Sequence, residues 1–297
     1  SKAKLKPGDY FKLRAETISL YDDIVASTME VDSESLRKSL IDLKNRIDQA
    51  TYTVAIAGAS RAGKSTLLNN LVRKEISPVD ILPTTGLPVA IVGGEKDEAE
   101  VIFKDGKKIR VIANSRALKT YVSQDENPDN KKNVKLITVK LVNEHLERGI
   151  SFLDLPGLDD PSPEIQSITL AALNMTSAII YVVDASSMAT GGFCISKYMV
   201  EDLRRLGMRA DRLFFVLNKT EMLTPGQKKQ LIVYVDSVLK KYGLDKMLPV
   251  PPLLISAKDA WKSRDRAPTQ KDSVTKLEEV LWDFLISNNK IGLFRLY

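Results

Sequence analysis

Tyr52-Thr53-Val54-Ala55-Ile56-Ala57 runs directly into Gly58-Ala59-Ser60-Arg61-Ala62-Gly63-Lys64-Ser65 and then Thr66-Leu67-Leu68-Asn69-Asn70-Leu71-Val72. The first six residues are β-branched or small and apolar, the composition of a strand covered on both faces. The last seven carry neither glycine nor proline and continue as a helix. Between them two glycines flank four residues and precede Lys-Ser, the spacing of a phosphate-binding loop. The chemistry dictates the pattern. Glycines let backbone N–H groups wrap dense negative charge, Lys64 reaches β and γ phosphate oxygens, the Ser65 hydroxyl ligates magnesium, and the helix points its positive end at the anion. Gly58, Ala59, Ser60, Arg61, Ala62, Gly63, Lys64, Ser65 and Thr66 are therefore the expected phosphate-side residues.

Outward from this unit, strands and helices alternate. Val89–Val92, Ala99–Phe103, Ile109–Ile112, Val134–Val142, Ile150–Leu153, Ala178–Val183, 212–217 and 252–255 read as strands. Asp105-Gly106 marks a hairpin, residues 115–123 suggest a helix, and 124–133 read as a polar loop. Helices are expected at 195–206, 226–242 and 272–288, and two more within 8–50, where Phe11, Ile18, Tyr21 and Val25, then Leu36, Leu40, Leu43 and Ile47, recur at helical spacing. The expectation is an α/β P-loop fold: a mostly parallel sheet with helices on both faces, antiparallel edge strands from the hairpin region, and ligands at the carboxyl ends of the strands. The long apolar stripes at both ends predict that helices 8–50 and 272–288 pack together as a flanking bundle. The domain boundaries expected are 1–50, 51–270 and 271–297.

Three further motifs fall at strand ends. Asp154-Leu155-Pro156-Gly157 follows strand 150–153; Asp154 there can hold a water on magnesium and the Gly157 N–H can meet the γ-phosphate. Pro83-Thr84-Thr85-Gly86 lies between this motif and the glycine loop, and Thr85 is favoured over Thr84 to complete the magnesium shell. Asn218-Lys219-Thr220-Glu221 follows the strand ending at Leu217, where guanine-binding GTPases place Asn-Lys-x-Asp. A carboxylate there accepts from guanine N1 and N2, donors that adenine lacks. Glu221 is one methylene longer than the usual acid and can make the same bonds if its loop sits slightly back. Ser256-Ala257-Lys258 supplies a backbone N–H for the guanine oxygen. The expected ligands are GTP/GDP and Mg2+, the metal held by Ser65, Thr85 and Asp154.

Composition narrows the rest. In 297 residues, 43% are apolar and 28% charged, an ordinary soluble balance. Cys194 is the sole cysteine, which excludes an internal disulfide and a cysteine metal cluster, and His145 is the sole histidine, which argues against a His-based metal site or catalytic triad. No apolar run reaches the roughly 18 residues of a membrane span, and the N-terminus lacks a leader pattern. The formal charge of +6 reads as a solvated basic surface, with attraction to anionic lipid or nucleic acid as the alternative that no dense Lys/Arg block decides; the absence of an RNA-binding module leaves no nucleic-acid partner expected. A cytoplasmic location, with peripheral membrane association open, fits these features.

Taken in order, Gly58 to Ser65, Leu82-Pro83-Thr84-Thr85, Asp154-Leu155-Pro156-Gly157-Leu158, Asn218-Lys219 and Ser256-Ala257-Lys258 resemble the dynamin superfamily over about residues 52–260. The hairpin insertion is similar to that of bacterial dynamin-like proteins and mitofusins. The resemblance implies GTP hydrolysis, G-domain homodimerisation driven by nucleotide, a helical bundle beside the GTPase domain, and work on a membrane. A monomeric switch GTPase acting on a protein or ribosome is the alternative. The family's long stalk or paddle is not visible, as expected of a truncated chain or a compact member. Arg61 stands where many dynamins carry serine. In guanylate-binding proteins and atlastins an arginine at this place acts as a finger in cis, so the resemblance places Arg61 with Lys64, Thr85 and Gly157 among the catalytic groups.

Overall fold

The computed structural model describes residues 19, 52–59, 61–76, 87–123, 125–143, 146, 149–155, 176–190, 210–263 and 273–294. The chain divides into two compact units, residues 53–281 and residues 1–52 with 282–297. The expected helices within 8–50 and at 195–206 lie outside the described residues.

Strands β1 (Tyr52–Gly58), β2 (Val89–Gly93), β3 (Glu98–Phe103), β4 (Lys108–Ile112), β5 (Val134–Leu141), β6 (Ile150–Asp154), β7 (Ala178–Asp184), β8 (Leu213–Asn218) and β9 (Leu253–Leu254) form one nine-stranded sheet. Its order is β4-β3-β5-β2-β6-β1-β7-β8-β9. The run β1, β7, β8, β9 is parallel throughout. Its strands are apolar along nearly their whole length, as strands buried on both faces must be. Ala55, Ala57, Ile179, Tyr181, Val183, Leu213, Phe215 and Leu217 build the core on one side, with Tyr181 and Phe215 stacked at 5.8 Å. Helix α3 (Pro225–Lys241) presents Leu231, Val235 and Leu239 to this core, a stripe at four-residue spacing. Its start is fixed by a capping box, Thr224 with Gln227, and by Pro225 in the first turn.

The other helices are α1 (Lys64–Leu71), α2 (Ser115–Val122), α4 (Ala257–Ser263) and α5 (Ser273–Phe294). The Asn114 side chain accepts from Ala117 N at 2.8 Å and opens α2. Helix α5 buries Val274, Leu277 and Leu281 within the larger unit, where Glu278 also pairs with Arg73 at 3.2 Å. Among the described residues no helix is long and apolar enough to cross a membrane.

The expected hairpin forms: β3 and β4 are antiparallel around Asp105-Gly106, where Gly106 has φ +86° and Asp105 Oδ1 accepts from Lys107 N. The long-range placement of β5 is the new information. It lies between β3 and β2, antiparallel to the first and parallel to the second, so the hairpin extends the main sheet and β4 becomes its edge. Lys108, Arg110 and Ile112 alternate outward on that edge, and cations there discourage pairing with another chain. The stretch read as a plain polar loop is a stapled turn. Asn127 is fully buried, donates to Tyr121 O at 2.7 Å and accepts from Lys132 N at 2.9 Å.

Candidate nucleotide-binding site

Two glycines are where they are because nothing larger fits. Gly58 ends β1 at φ +136°, and a Cβ there would lie 2.1 Å from Val182 O on the neighbouring strand. Gly63 precedes α1 at φ +92°, and its Cβ would lie 2.2 Å from Asn218 Nδ2. With glycine at the cap, no side chain closes the α1 N-terminus and its first turn carries no acid. Among the described residues no capping side chain or first-turn acid competes with an anion for the N–H groups and the dipole. Lys64 lies across its own loop and donates to Gly58 O at 3.0 Å and Ala59 O at 2.8 Å. Arg61 sits at φ +60° with its side chain exposed.

At the end of β8, the buried Asn218 joins both halves of the site. Its Nδ2 donates to Ala62 O at 2.9 Å, and its Oδ1 accepts from Ala257 N at 3.1 Å. Asn70 on α1 reaches the same residue, donating to Ala257 O at 2.9 Å. Ser256 Oγ accepts from Asp259 N at 3.2 Å and caps α4, while Ser256 N donates to Ser273 Oγ at 3.1 Å. Ala257 is buried and Lys258 exposed. The Thr220 hydroxyl donates to Ile255 O at 2.8 Å, fixing the short 3-10 turn Thr220–Met222.

That turn holds Glu221 half-buried, with Oε2 fully buried and lacking a hydrogen-bond partner among the described residues. A buried acceptor left without a donor costs on the order of 1–3 kcal/mol. The N1 and N2 groups of a guanine would supply such a donor. The orphaned oxygen, at the end of a parallel strand and tied through Asn218 to a phosphate loop, fits a guanine nucleotide.

Asp154 closes β6, next to the loop: Leu155 N donates to Ile56 O at 3.1 Å, and α1 packs against β6. The Asp154 carboxylate and the Ser65 hydroxyl, both half-buried, are hard oxygen donors of the kind magnesium takes. Ser60, Thr84, Thr85 and Gly157 lie outside the described residues.

Sequence reasoning missed Asp184. It closes β7 in register with Asn218, and its Oδ2 accepts from Lys219 Nζ at 2.5 Å. Burial would push its carboxyl up, but hydrogen bonds from Lys219 and from the Ser186 hydroxyl and N–H outweigh that and hold it below the ordinary aspartate value. The available signal was an acid at the carboxyl end of a strand buried along its length.

A glycine-rich loop between the first strand and α1, an acid at the end of β6 and a turn holding a half-buried Glu221 after β8 fit a P-loop GTPase architecture. The chain belongs to the dynamin family, whose model matches residues 54–220. It is 26% identical over 298 aligned positions to dynamin-like protein 1 of Campylobacter jejuni, covering 86% of this chain and 40% of that protein. Against an uncharacterised protein of Caldicellulosiruptor sp. it is 24% identical over 259 residues, covering 86% of this chain and 62% of the relative. The chain thus spans less than two thirds of the length of each of these relatives. Among solved structures, an oligomerised bacterial dynamin pair described as sensing and tethering membranes at long range superposes with a TM-score of 0.70 at 20% identity. That match covers 94% of this chain and 44% of the other, and at this identity the likeness is one of fold.

Proposed function

We propose that this chain hydrolyses GTP to GDP and phosphate, that its G domains pair in response to nucleotide, and that the cycle is coupled to membrane remodelling. Glu221 Oε2, buried and without a hydrogen-bond partner among the described residues, carries the nucleotide assignment. In this reading Gly58 to Thr66 hold the phosphates, and Lys64 offsets charge on the β and γ oxygens. Asn218, Lys219 and Glu221, with Ser256, Ala257 and Lys258, hold the base. Ser65, Thr85 and Asp154 hold Mg2+, which supplies further charge neutralisation when bound. The oxygen of a water attacks the γ phosphorus in line and its proton passes to a γ-phosphate oxygen, while the bond to the β–γ bridging oxygen breaks and GDP leaves with that electron pair. Gly157 donates its N–H to a γ oxygen. Pairing and membrane work draw support from family membership and from the fold shared with the membrane-tethering pair. The segments 1–50 and 271–297 form a bundle flanking the 51–270 GTPase domain, the protein is cytoplasmic with peripheral membrane contact, and nucleic acid is not a partner.

The first test is relative affinity. Wild-type chain prefers GTP to ATP, and Glu221→Ala narrows that preference by about 10-fold, the equivalent of on the order of 1–2 kcal/mol of base hydrogen bonding. Equal binding of GTP and ATP by wild type overturns the guanine reading. Thr85→Ala leaves GDP affinity nearly intact and slows turnover strongly. Equal losses for GDP and a GTP analogue in titration calorimetry would show that Thr85 does not sense the γ-phosphate. Turnover per molecule rises with protein concentration if the domains pair. A constant specific activity favours the monomeric switch.

A further inference from the structure

We propose that Asp184 is a positioning residue for nucleotide binding: it holds the Lys219 side chain flat along the carboxyl edge of the sheet, where the stem forms a floor for the purine face. The proposal rests on the guanine-nucleotide reading of the site and adds a residue to it.

Asp184 and Asn218 end adjacent parallel strands in the same register. Lys219 is the next residue after Asn218, so its Cα lies beyond the end of β8 while its ammonium is fixed beyond the end of β7. Neighbouring strands are about 4.8 Å apart, and the four-methylene stem of the lysine must cross that gap. A stem stretched between two strand ends offers an apolar strip along the edge where ligands of such sheets sit. Glu221 follows two residues later, on a turn whose first position is Lys219 at φ +65°. The floor and the edge-reading carboxylate therefore rise from one short segment.

The pair is built more firmly than an ordinary surface ion pair. Both Asp184 oxygens are used: Oδ2 by Lys219, and Oδ1 by Ser186 N at 2.8 Å and Ser186 Oγ at 2.5 Å. Ser186 fixes the carboxylate from its own side, so the lysine meets an acceptor that is already oriented. The side chains of Lys219 and Asp184 are 29% and 34% exposed, which limits screening by solvent. Burial opposes the charged carboxylate and the three donors overcome it, so the charge persists across neutral pH.

A floor touches the face of a base and does not read its edge. Loss of Asp184 therefore weakens GTP, GDP and ATP by a common factor, whereas loss of Glu221 changes their ratio. Asp184→Asn is expected to weaken GDP by about 10-fold, the cost of one hydrogen bond to a charged group, with the GTP-to-ATP ratio unchanged, KM raised and kcat nearly constant. In a Lys219→Met background, which keeps the stem and removes the charge, Asp184→Asn has no further effect on GDP affinity. Ser186→Ala, a milder change, weakens GDP in the same direction by a smaller factor. Wild-type GDP affinity in both Asp184→Asn and Ser186→Ala overturns the proposal. So does an equal further loss in the Lys219→Met background, which would show Asp184 acting without the lysine. Wild-type chain that binds GTP no better than ATP defeats the guanine reading itself, and that outcome is distinct from either.

Discussion

Lys64→Ala binds a non-hydrolysable GTP analogue at least about 100-fold more weakly than wild-type chain in equilibrium titration, and GDP is weakened nearly as much. The triphosphate concentrates its charge at the β and γ groups. The loop answers with backbone dipoles and with one cation at the start of α1. Hydrogen bonds to charged groups are worth about 1.5–3 kcal/mol each, and the lysine makes more than one of them with phosphate. Lys64 already lies over the loop, donating to Gly58 O and Ala59 O. Its ammonium exchanges carbonyl oxygens for phosphate oxygens with little movement. The alanine leaves the loop conformation to Gly58, Gly63 and Asn218, so folding, followed by thermal denaturation, is expected to survive. Unchanged analogue affinity in a folded Lys64→Ala chain would remove the phosphate-loop assignment.

Arg61→Ala is expected to lower turnover about 1,000-fold while leaving GTP affinity nearly unchanged. Phosphoryl transfer moves negative charge onto the γ and bridging oxygens, and stabilising that charge is most of the catalytic task. Arg61 carries a permanent charge on a long side chain, from a backbone at φ +60° that aims it differently from its neighbours. It is exposed, so its catalytic geometry belongs to the paired state proposed above, in which a second G domain closes over it. A built-in cation makes a recruited one unnecessary. Turnover therefore differs little between sodium, potassium and lithium salts. Wild-type turnover by Arg61→Ala at concentrations that support pairing would reduce Arg61 to a surface residue.

The parts of the site that could be read from sequence are those whose chemistry is local. Gly58 to Ser65 declares itself because strand, loop and helix are contiguous and each residue type has one job. Asp154 and Asn218 were legible because a buried strand run ends one residue earlier. Asp184 closes such a run too, yet its meaning depends on Lys219, 35 residues later, and on β7 pairing with β8. No local pattern records that pairing. The same holds for β5: alternation predicts the strand, and only the sheet decides that it enters between β3 and β2. Helix α4 escaped notice because seven residues give too little periodicity. Its sole local signal was Ser256 three residues before Asp259, the pattern of an N-cap.

Asn218 has a consequence for how the molecule comes together. Its amide fastens Ala62, 156 residues earlier, to Ala257, 39 residues later. Closing contacts at such separations costs loop entropy that only the completed packing repays. The glycine loop is therefore pre-shaped only once β8 has joined β7 and the segment after β9 has arrived. At the site proposed above, a nucleotide would touch segments from both halves of the sequence and act as a clasp on the finished sheet: each increment of binding becomes an increment of resistance to unfolding, set by the ratio of nucleotide concentration to its dissociation constant.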